Sequence, residues 1–334
     1  MSKSRAKKQK GFYMSKNTII AICLFVVIFA GLLITATFTD LQVSQILTKN
    51  SLPKGQYYAD DVFGRTFETV GCSPIYLMLG FAFHIIFWNV LIRVKDTLIK
   101  YLLLAVSTGC GVAAYCVMYK DVLRYIVDQV GLDHASVKTQ FVTFSMIFMG
   151  CITCFFATLA VRNFKDETLK KLLTFAIAVI IIAAVANGLV NLIKIPMGRP
   201  RYRGMNYSGA QSIGGFNNFK RWYEATAQPD TNSLIWYYGS TDACKSFPSG
   251  HTCSAGMSYC LIMLIDVLKI TDRKKKIALW VCPIIYTGIV AVSRIMVGAH
   301  FFSDVLVGGT FAFVTMLLFR EIFICKGSHF IRSK

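Results

Sequence analysis

The stretch Ser293-Arg294-Ile295-Met296-Val297-Gly298-Ala299-His300-Phe301-Phe302-Ser303-Asp304 lies between two long apolar segments of the chain. It carries a cation, an imidazole and a carboxylate. If a helix begins near His300, Asp304 follows one turn later on the same face, close enough to orient the imidazole ring. Such an imidazole, flanked by Arg294, is suited to act as a nucleophile or base on an anionic substrate. The alternative is a structural histidine at a helix end with a capping aspartate.

The composition around this stretch is that of a membrane protein. The chain has 334 residues, of which 55% are hydrophobic and only 16% are charged. A soluble domain carries about 25% charged residues. The apolar residues also come in blocks, so the sequence predicts an all-α, polytopic membrane helix bundle.

The apolar blocks predict about eight transmembrane helices, because crossing a bilayer takes roughly 20 apolar residues. The first block is longer than a signal-peptide core and has no clear cleavage site, which favours an uncleaved helix. A polar outer loop is predicted over 39–72 and another over 120–140. The predicted spans are 18–38, 74–94, 101–119, 141–161, 172–193, 251–270, 277–292 and 304–325.

The positive charge collects in short segments between the spans. The net charge is +19, with basic clusters in the N-terminal tail and at 273–276. Basic residues hold loops in the cytoplasm, so tails 1–17 and 326–334 are both predicted to be cytoplasmic. Because no basic domain stands outside the spans, nucleic-acid binding is not expected.

Two further stretches accompany the first one. They are Lys194-Ile195-Pro196-Met197-Gly198-Arg199-Pro200-Arg201 and Phe247-Pro248-Ser249-Gly250-His251-Thr252. Together the three resemble the signature of the type-2 phosphatidic acid phosphatase superfamily, which is Lys-x6-Arg-Pro, Pro-Ser-Gly-His and Ser-Arg-x5-His-x3-Asp. One position departs from it, because Tyr202 stands where the family has proline. The eight-span topology places all three blocks on the outer side.

The resemblance implies a six-helix phosphatase core over 95–325, preceded by two additional helices over 18–94. Lys194, Arg201 and Arg294 supply the positive charge that a phosphate ester needs. Ser249 can cap a helix, and Gly250 leaves room for a phosphate at its backbone amides. Arg199 and Arg203 flank the first block and are assigned to interface anchoring.

The resemblance also implies roles for the remaining site residues. His300 attacks phosphorus, His251 protonates the leaving alcohol and later activates water, and Asp304 fixes the tautomer of His300. Zinc bound by the two histidines and Asp304 is the chemical competitor, although the three nearby cations would repel a divalent ion. We therefore expect no metal and no cofactor.

The predicted function is metal-independent hydrolysis of a membrane lipid phosphate or pyrophosphate at the non-cytoplasmic face. Phosphatidate, phosphatidylglycerophosphate and polyprenyl pyrophosphate are the candidate substrates. The alternatives are a lipid phosphotransferase, a phosphatase of a soluble sugar phosphate, and a transporter or inactive relative. The expected partners are the lipid substrate and the bilayer, and the sequence leaves the oligomeric state open. Compact size and short loops are compatible with a bacterial plasma membrane; the alternative is a eukaryotic internal membrane, in which the site would face the lumen.

Three features outside the motifs carry their own expectations. His84 lies inside the second span and is interpreted as a packed, hydrogen-bonded residue. Cys72 and Cys244 fall in or near outer loops, where a disulfide would be possible. The aromatic-rich polar stretch 194–250 either roofs the site or is an ordinary interfacial loop.

Overall fold

The computed structural model describes residues 16–130, 135–224 and 241–326. The predicted tails therefore lie almost wholly outside the described residues. Within these ranges the chain forms helices and no strand. The helices are α1 (Lys16–Thr48), α2 (Val62–Val70), α3 (Ser73–Arg93), α4 (Thr97–Val130), α5 (Ala135–Arg162), α6 (Asp166–Met197), α7 (Tyr202–Asn206), α8 (Gly250–Ala255), α9 (Leu264–Val267), α10 (Arg273–Met296) and α11 (Phe302–Phe319).

Seven helical segments of the described residues are long and apolar enough to cross a membrane. The all-α membrane bundle is thereby confirmed. The predicted span 251–270 is a helical run of a different kind, in which a 3-10 segment, Gly256–Met263, joins α8 to α9. A 3-10 helix rises about 2.0 Å per residue against 1.5 Å for an α-helix. The run is therefore about 31 Å long, close to the roughly 30 Å of a hydrocarbon core.

The run from α8 to α9 lies at the centre of the bundle. It packs against α3, α6, α10 and α11. Every residue from Thr252 to Cys260 is buried. A helix that is apolar on all sides needs such a position. The helices α4 and α5 pack beside α3 at the periphery.

The two N-terminal helices differ from the prediction in extent. Helix α1 does not end near residue 38 but continues to Thr48. Its buried face has a residue on every fourth position, namely Ala36, Asp40, Ser44 and Thr48. The predicted outer loop 39–72 is therefore partly wrong. It contains the end of α1 and the whole of α2, which packs against α10 and α4.

Helix α4 also runs further than predicted. The loop expected from residue 120 onward is helical up to Val130. The helix thus continues beyond the predicted end of its span and brings Tyr125 to the end of the bundle at which His251 lies. The remainder of that predicted loop includes His134, which lies outside the described residues.

Candidate active site

The loop that carries His300 joins α10 to α11. Gly298 adopts a φ of 66°, which is favourable for glycine alone, and its carbonyl accepts a hydrogen bond from the backbone N–H of Arg203 at 2.8 Å. An added Cβ at Gly298 would also lie 3.1 Å from Arg203 Cβ and 2.7 Å from Leu52 Cδ2. Helix α11 begins at Phe302, between the start near His300 considered for the motif and the start at 304 predicted for the span. His300 lies in the loop, and Asp304 lies in the first turn of α11.

The imidazole of His300 is 1% exposed, and its Nδ1 faces two oxygens. The carbonyl oxygen of Ser246 lies 2.7 Å from Nδ1, and Oδ2 of Asp304 lies 3.6 Å from it. A carbonyl oxygen only accepts, so in the neutral ring the proton lies on Nδ1. Nε2 then keeps its lone pair. The tautomer is held first by Ser246, which the sequence did not point to, and only second by Asp304.

The carboxylate of Asp304 is fully buried and receives donors on both oxygens. Oδ2 accepts from the backbone N–H of Phe301 at 2.8 Å and from the hydroxyl of Ser246. Oδ1 accepts from Nη1 of Arg199. The side chain of Asp304 thus ties the start of α11 to two other segments of the site.

Arg199 is not an interface anchor, contrary to the expectation from the sequence. Its side chain is 0% exposed and ion-paired to Asp304 and, at 2.8 Å, to Asp40 of α1. Nε donates to the carbonyl of Lys220 at 2.8 Å, and the guanidinium lies 4.2 Å from the ring centre of Phe301. A buried charge needs this complete pairing. Asp40 had been assigned to a loop, which concealed its role.

The second motif block meets α11 directly. Ser249 Oγ accepts from the backbone N–H of Thr252, which confirms the predicted helix cap. The backbone N–H of Ser249 donates to the carbonyl of Asp304 at 2.9 Å. The two backbones come this close because Gly308 has no side chain, since a Cβ there would lie 2.3 Å from Ser249 O.

His251, in the first turn of α8, has a neighbour that the motifs did not predict. Its Nε2 lies 3.3 Å from the hydroxyl of Tyr125, and the two rings meet edge to face. Tyr125 comes from the extended part of α4. His300 and Arg294 lie close enough to act electrostatically on His251, as do Arg201 and Lys194.

The predicted phosphate-binding cations gather around the histidines. Lys194 Nζ lies 3.7 Å from the position that a Cβ of Gly250 would occupy. The backbone N–H of Arg201 donates to Ala243 O at 2.9 Å, which holds the first block beside the second. Burial lowers the pKa of His300 to about 3; the hydrogen bond with Asp304 opposes this shift, while the positive charges of Arg201 and Lys194 add to it.

Arg294, the third predicted cation, is 0% exposed and pairs with Glu68 of α2. Oε1 of Glu68 lies 3.0 Å from Nη1 of Arg294 and 3.0 Å from Nη1 of Arg203. Arg203 is therefore a buried ion-pair partner, and its assignment to interface anchoring was also wrong. The guanidinium nitrogens of Arg294 make no hydrogen bond to the described residues, although the ion pair is close.

Aromatic residues of the polar stretch pack over the buried ion pairs of Arg199. Phe219 packs edge to face on Phe301 at 5.3 Å, and Tyr202 contacts Phe216 at 5.1 Å. Tyr202 is the first residue of α7, a position at which proline is favourable, so tyrosine fits the same backbone. The described part of the stretch thus roofs Arg199. Trp236, Tyr237 and Tyr238, which the sequence also placed there, lie outside the described residues.

The structure also bears on the possible disulfide and on the possible metal site. No disulfide joins Cys72 and Cys244, and burial raises the pKa of Cys244 to about 11. No group of three His, Cys, Asp or Glu side chains suited to a metal occurs among the residues that the structure describes.

His84 stacks on Tyr115 and its Nδ1 lies 3.1 Å from Thr158 Oγ1, so its interpretation as a packed, hydrogen-bonded residue is confirmed.

The structure is a helical bundle of membrane-protein character that brings two histidines, a buried carboxylate and several cations to one place. Comparison with known families agrees with this class. Residues 172–324 match the model of the PAP2 superfamily, and this match supports the resemblance to the type-2 phosphatidic acid phosphatases. Its members are phosphatases that act on phosphate esters, often those of lipids. No curated protein and no solved structure matches the chain.

Proposed function

We propose that this protein is a metal-independent phosphatase of membrane lipid phosphates or pyrophosphates that works through a phosphohistidine. The observation that carries the proposal is the state of His300. Its Nδ1–H is held by Ser246 O at 2.7 Å, so the lone pair of Nε2 is available for attack on phosphorus. Membrane burial of the bundle favours a lipid ester as the substrate.

In the first step, Nε2 of His300 forms a bond to phosphorus and the phosphorus–oxygen bond of the ester breaks. A phosphate anion bound beside His251 favours the protonated form of its imidazole, which gives its proton to the departing alkoxide. The imidazole of His300 becomes positive while it holds the phosphoryl group. The carboxylate of Asp304, 3.6 Å from Nδ1, stabilises that charge.

In the second step, His251 takes a proton from water, and the resulting hydroxide attacks phosphorus. The phosphorus–nitrogen bond breaks, inorganic phosphate leaves and His300 returns to its neutral form. Lys194, Arg201 and Arg294 stabilise the charge on the non-bridging oxygens in both steps. The site is expected to face the non-cytoplasmic side, since the basic segments of the chain mark the other side.

The test is phosphate release by the purified protein in detergent, with EDTA present. Phosphatidate, phosphatidylglycerophosphate and a polyprenyl pyrophosphate are the substrates. We expect release with at least one of them, and we expect its loss in His300→Ala. His84→Gln is the matched control, because it removes a buried histidine of the same bundle that does not belong to the site.

Three other outcomes of this assay would contradict parts of the proposed function. Release that EDTA abolishes would overturn the metal-independent mechanism. Phosphate transfer to an added alcohol in place of phosphate release would indicate a phosphotransferase. Release from a soluble sugar phosphate alone would overturn the assignment of a lipid substrate.

A further inference from the structure

Asp40 lies in α1, outside the segment that matches the superfamily, yet it reaches the site. It is 2% exposed. Its Oδ1 accepts from the backbone N–H of Ser303 at 2.9 Å, and its Oδ2 accepts from the hydroxyl of Ser303 and from Nη2 of Arg199. Both oxygens of Asp40 thus accept hydrogen bonds, as the oxygens of an ionised carboxylate do.

Arg199 connects Asp40 to the reacting end of the site. Nη2 of its guanidinium binds Asp40, and Nη1 binds Asp304 and, at 2.8 Å, the hydroxyl of Ser303. Asp304 in turn lies 3.6 Å from Nδ1 of His300. The order Asp40, Arg199, Asp304, His300 is thus a row of buried groups in which negative and positive charges alternate.

The charge balance of this row depends on Asp40. Two carboxylates and one guanidinium leave a net negative charge beside His300, which becomes positive as its bond to phosphorus forms. Without Asp40, the guanidinium of Arg199 would have Asp304 as its single carboxylate partner in the row. The pair of Arg199 and Asp304 would then carry no net charge. Buried charges interact more strongly than exposed ones. The loss of this negative charge would therefore stabilise the positive imidazole of His300 less and slow the formation of the phosphorus–nitrogen bond.

We propose that Asp40 is a positioning residue of the active site, which holds Arg199 so that the carboxylate of Asp304 remains available to His300. The proposal rests on the function proposed above. It assigns the first N-terminal helix to the catalytic machinery, and it predicts an effect on the chemical step with little effect on substrate binding.

The first experiment compares Asp40→Asn with Thr37→Val. Asp40→Asn keeps the size of the side chain and removes its charge. We expect kcat to fall roughly 10- to 100-fold, as a small displacement of a catalytic group can cause, with KM changed by less than about twofold. Thr37 lies in the same helix, and its hydroxyl accepts a hydrogen bond from Trp222 Nε1 at 2.8 Å and none from Arg199. Thr37→Val should leave kcat within about twofold of wild type.

The second experiment repeats Asp40→Asn in the background of Arg199→Gln. If Asp40 acts through the charge of Arg199, its replacement should cost much less there than in wild type. A purely structural role of Asp40 would give the same fold-loss in both backgrounds, which would overturn the proposal. Equal losses in Asp40→Asn and Thr37→Val would overturn it as well.

A third readout does not depend on turnover. Vanadate adopts a five-coordinate form that resembles the transition state of phosphoryl transfer, whereas phosphate resembles the ground state. We expect Asp40→Asn to reduce the protection of the protein by vanadate against thermal unfolding, with protection by phosphate nearly unchanged. An equal reduction for both ions would contradict the proposal.

These measurements separate the two proposals. If the wild type releases no phosphate or His300→Ala remains active, the proposed function fails whatever Asp40→Asn does. If both behave as expected and Asp40→Asn keeps its kcat, the inference on Asp40 alone fails. Should Asp40→Asn not fold, Ser303→Ala removes the hydroxyl between Arg199 and Asp40 but keeps both charges. It should lower kcat without changing KM, and an unchanged kcat would count against the proposal.

Discussion

At the scale of single residues, the site depends on the neutral form of His300. Complete burial disfavours the charged imidazole and lowers its pKa from 6.5 to about 3. The hydrogen bond with Asp304 favours the charged form but does not outweigh burial. The imidazole is therefore neutral at physiological pH, as a nucleophile must be.

The shift of this pKa predicts how stability depends on pH. A histidine whose pKa is lowered by folding contributes stability above its unfolded value near 6.5, and this contribution is lost as the pH falls from there toward 3. The loss amounts to at most about 1.4 kcal/mol per pH unit. We expect the apparent Tm to fall between pH 7 and pH 5, and to fall less in His300→Gln. Equal slopes in both proteins would mean that folding leaves the pKa of His300 unchanged.

Glu68 is the second carboxylate that the N-terminal helices bring to the site. It lies between two buried guanidinium groups, those of Arg203 and Arg294. Breaking a buried ion pair by removing one partner costs about 3–5 kcal/mol. The guanidinium of Arg294, whose nitrogens lack a hydrogen bond to the described residues, also has capacity for an anion.

Replacing this carboxylate should affect stability and phosphate binding in opposite directions. In Glu68→Gln we expect a lower apparent Tm without ligand, because two buried cations lose their negative partner. We also expect a larger rise of Tm on addition of phosphate, because less negative charge competes for Arg294. Asp266→Asn is the control, since it breaks the ion pair with Arg320 outside the site. A phosphate-induced rise that is no larger than in wild type would contradict this role of Glu68.

At the scale of helices, a close backbone contact brings α11 next to the second motif block. Gly308 lies under Ser249, and a Cβ on it would meet Ser249 O at 2.3 Å and the carbonyl carbon at 3.1 Å. Neighbouring Gly309 has more room, because its Cβ would meet Thr252 Cγ2 at 3.4 Å. The two glycines therefore differ although they are adjacent in the sequence.

This difference predicts opposite results for two alanine variants. Gly308→Ala forces backbones apart and should cost about 1–3 kcal/mol of stability, together with phosphatase activity. Gly309→Ala adds a methyl group in ordinary contact and gains helix propensity of up to about 1 kcal/mol. Thermal unfolding and phosphate release of the two variants test this. Similar behaviour of both would show that the approach of α11 to Ser249 is not limiting.

Helix α1 has a long exposed part and a short buried stripe. Over its 33 residues it is about 50 Å long, more than the hydrocarbon core requires. Most of it is exposed on the bundle surface, whereas Ala36, Asp40, Ser44 and Thr48 form a buried stripe near its outer end. Small and polar residues at every fourth position are typical of a helix-packing face. That spacing was visible in the sequence and could have indicated that the helix continues past residue 38.

At the scale of the whole molecule, buried ion pairs join the N-terminal segment to the superfamily segment. Residues before 95 supply Asp40 and Glu68, each paired to an arginine of the motif region. Helix α3 packs against α4 and α6 as well. The division into two N-terminal helices over 18–94 and a six-helix core over 95–325 stays a prediction, and these contacts connect the two parts.

A split protein tests this unity. We expect the fragment 95–334, expressed alone, to give no phosphatase activity, because Arg199 would lose Asp40 and Arg294 would lose Glu68. Co-expression with the fragment 1–94 should restore activity, since the break lies between α3 and α4 at the surface. Release by fragment 95–334 alone, at a rate near that of the intact protein, would show that the N-terminal helices are dispensable.

The sequence by itself determined the helical membrane architecture, most of the spans and the residues of the three motif blocks. These features depend on local patterns, namely apolar runs long enough for a bilayer and fixed spacings of polar residues. The tertiary structure alone decided which charges pair inside the bundle. It placed Asp40 on Arg199, Glu68 on Arg294, Ser246 on His300 and Tyr125 on His251. Asp40 and Ser303 are 263 positions apart, and a charge buried in the bundle is stable only where such a distant partner meets it.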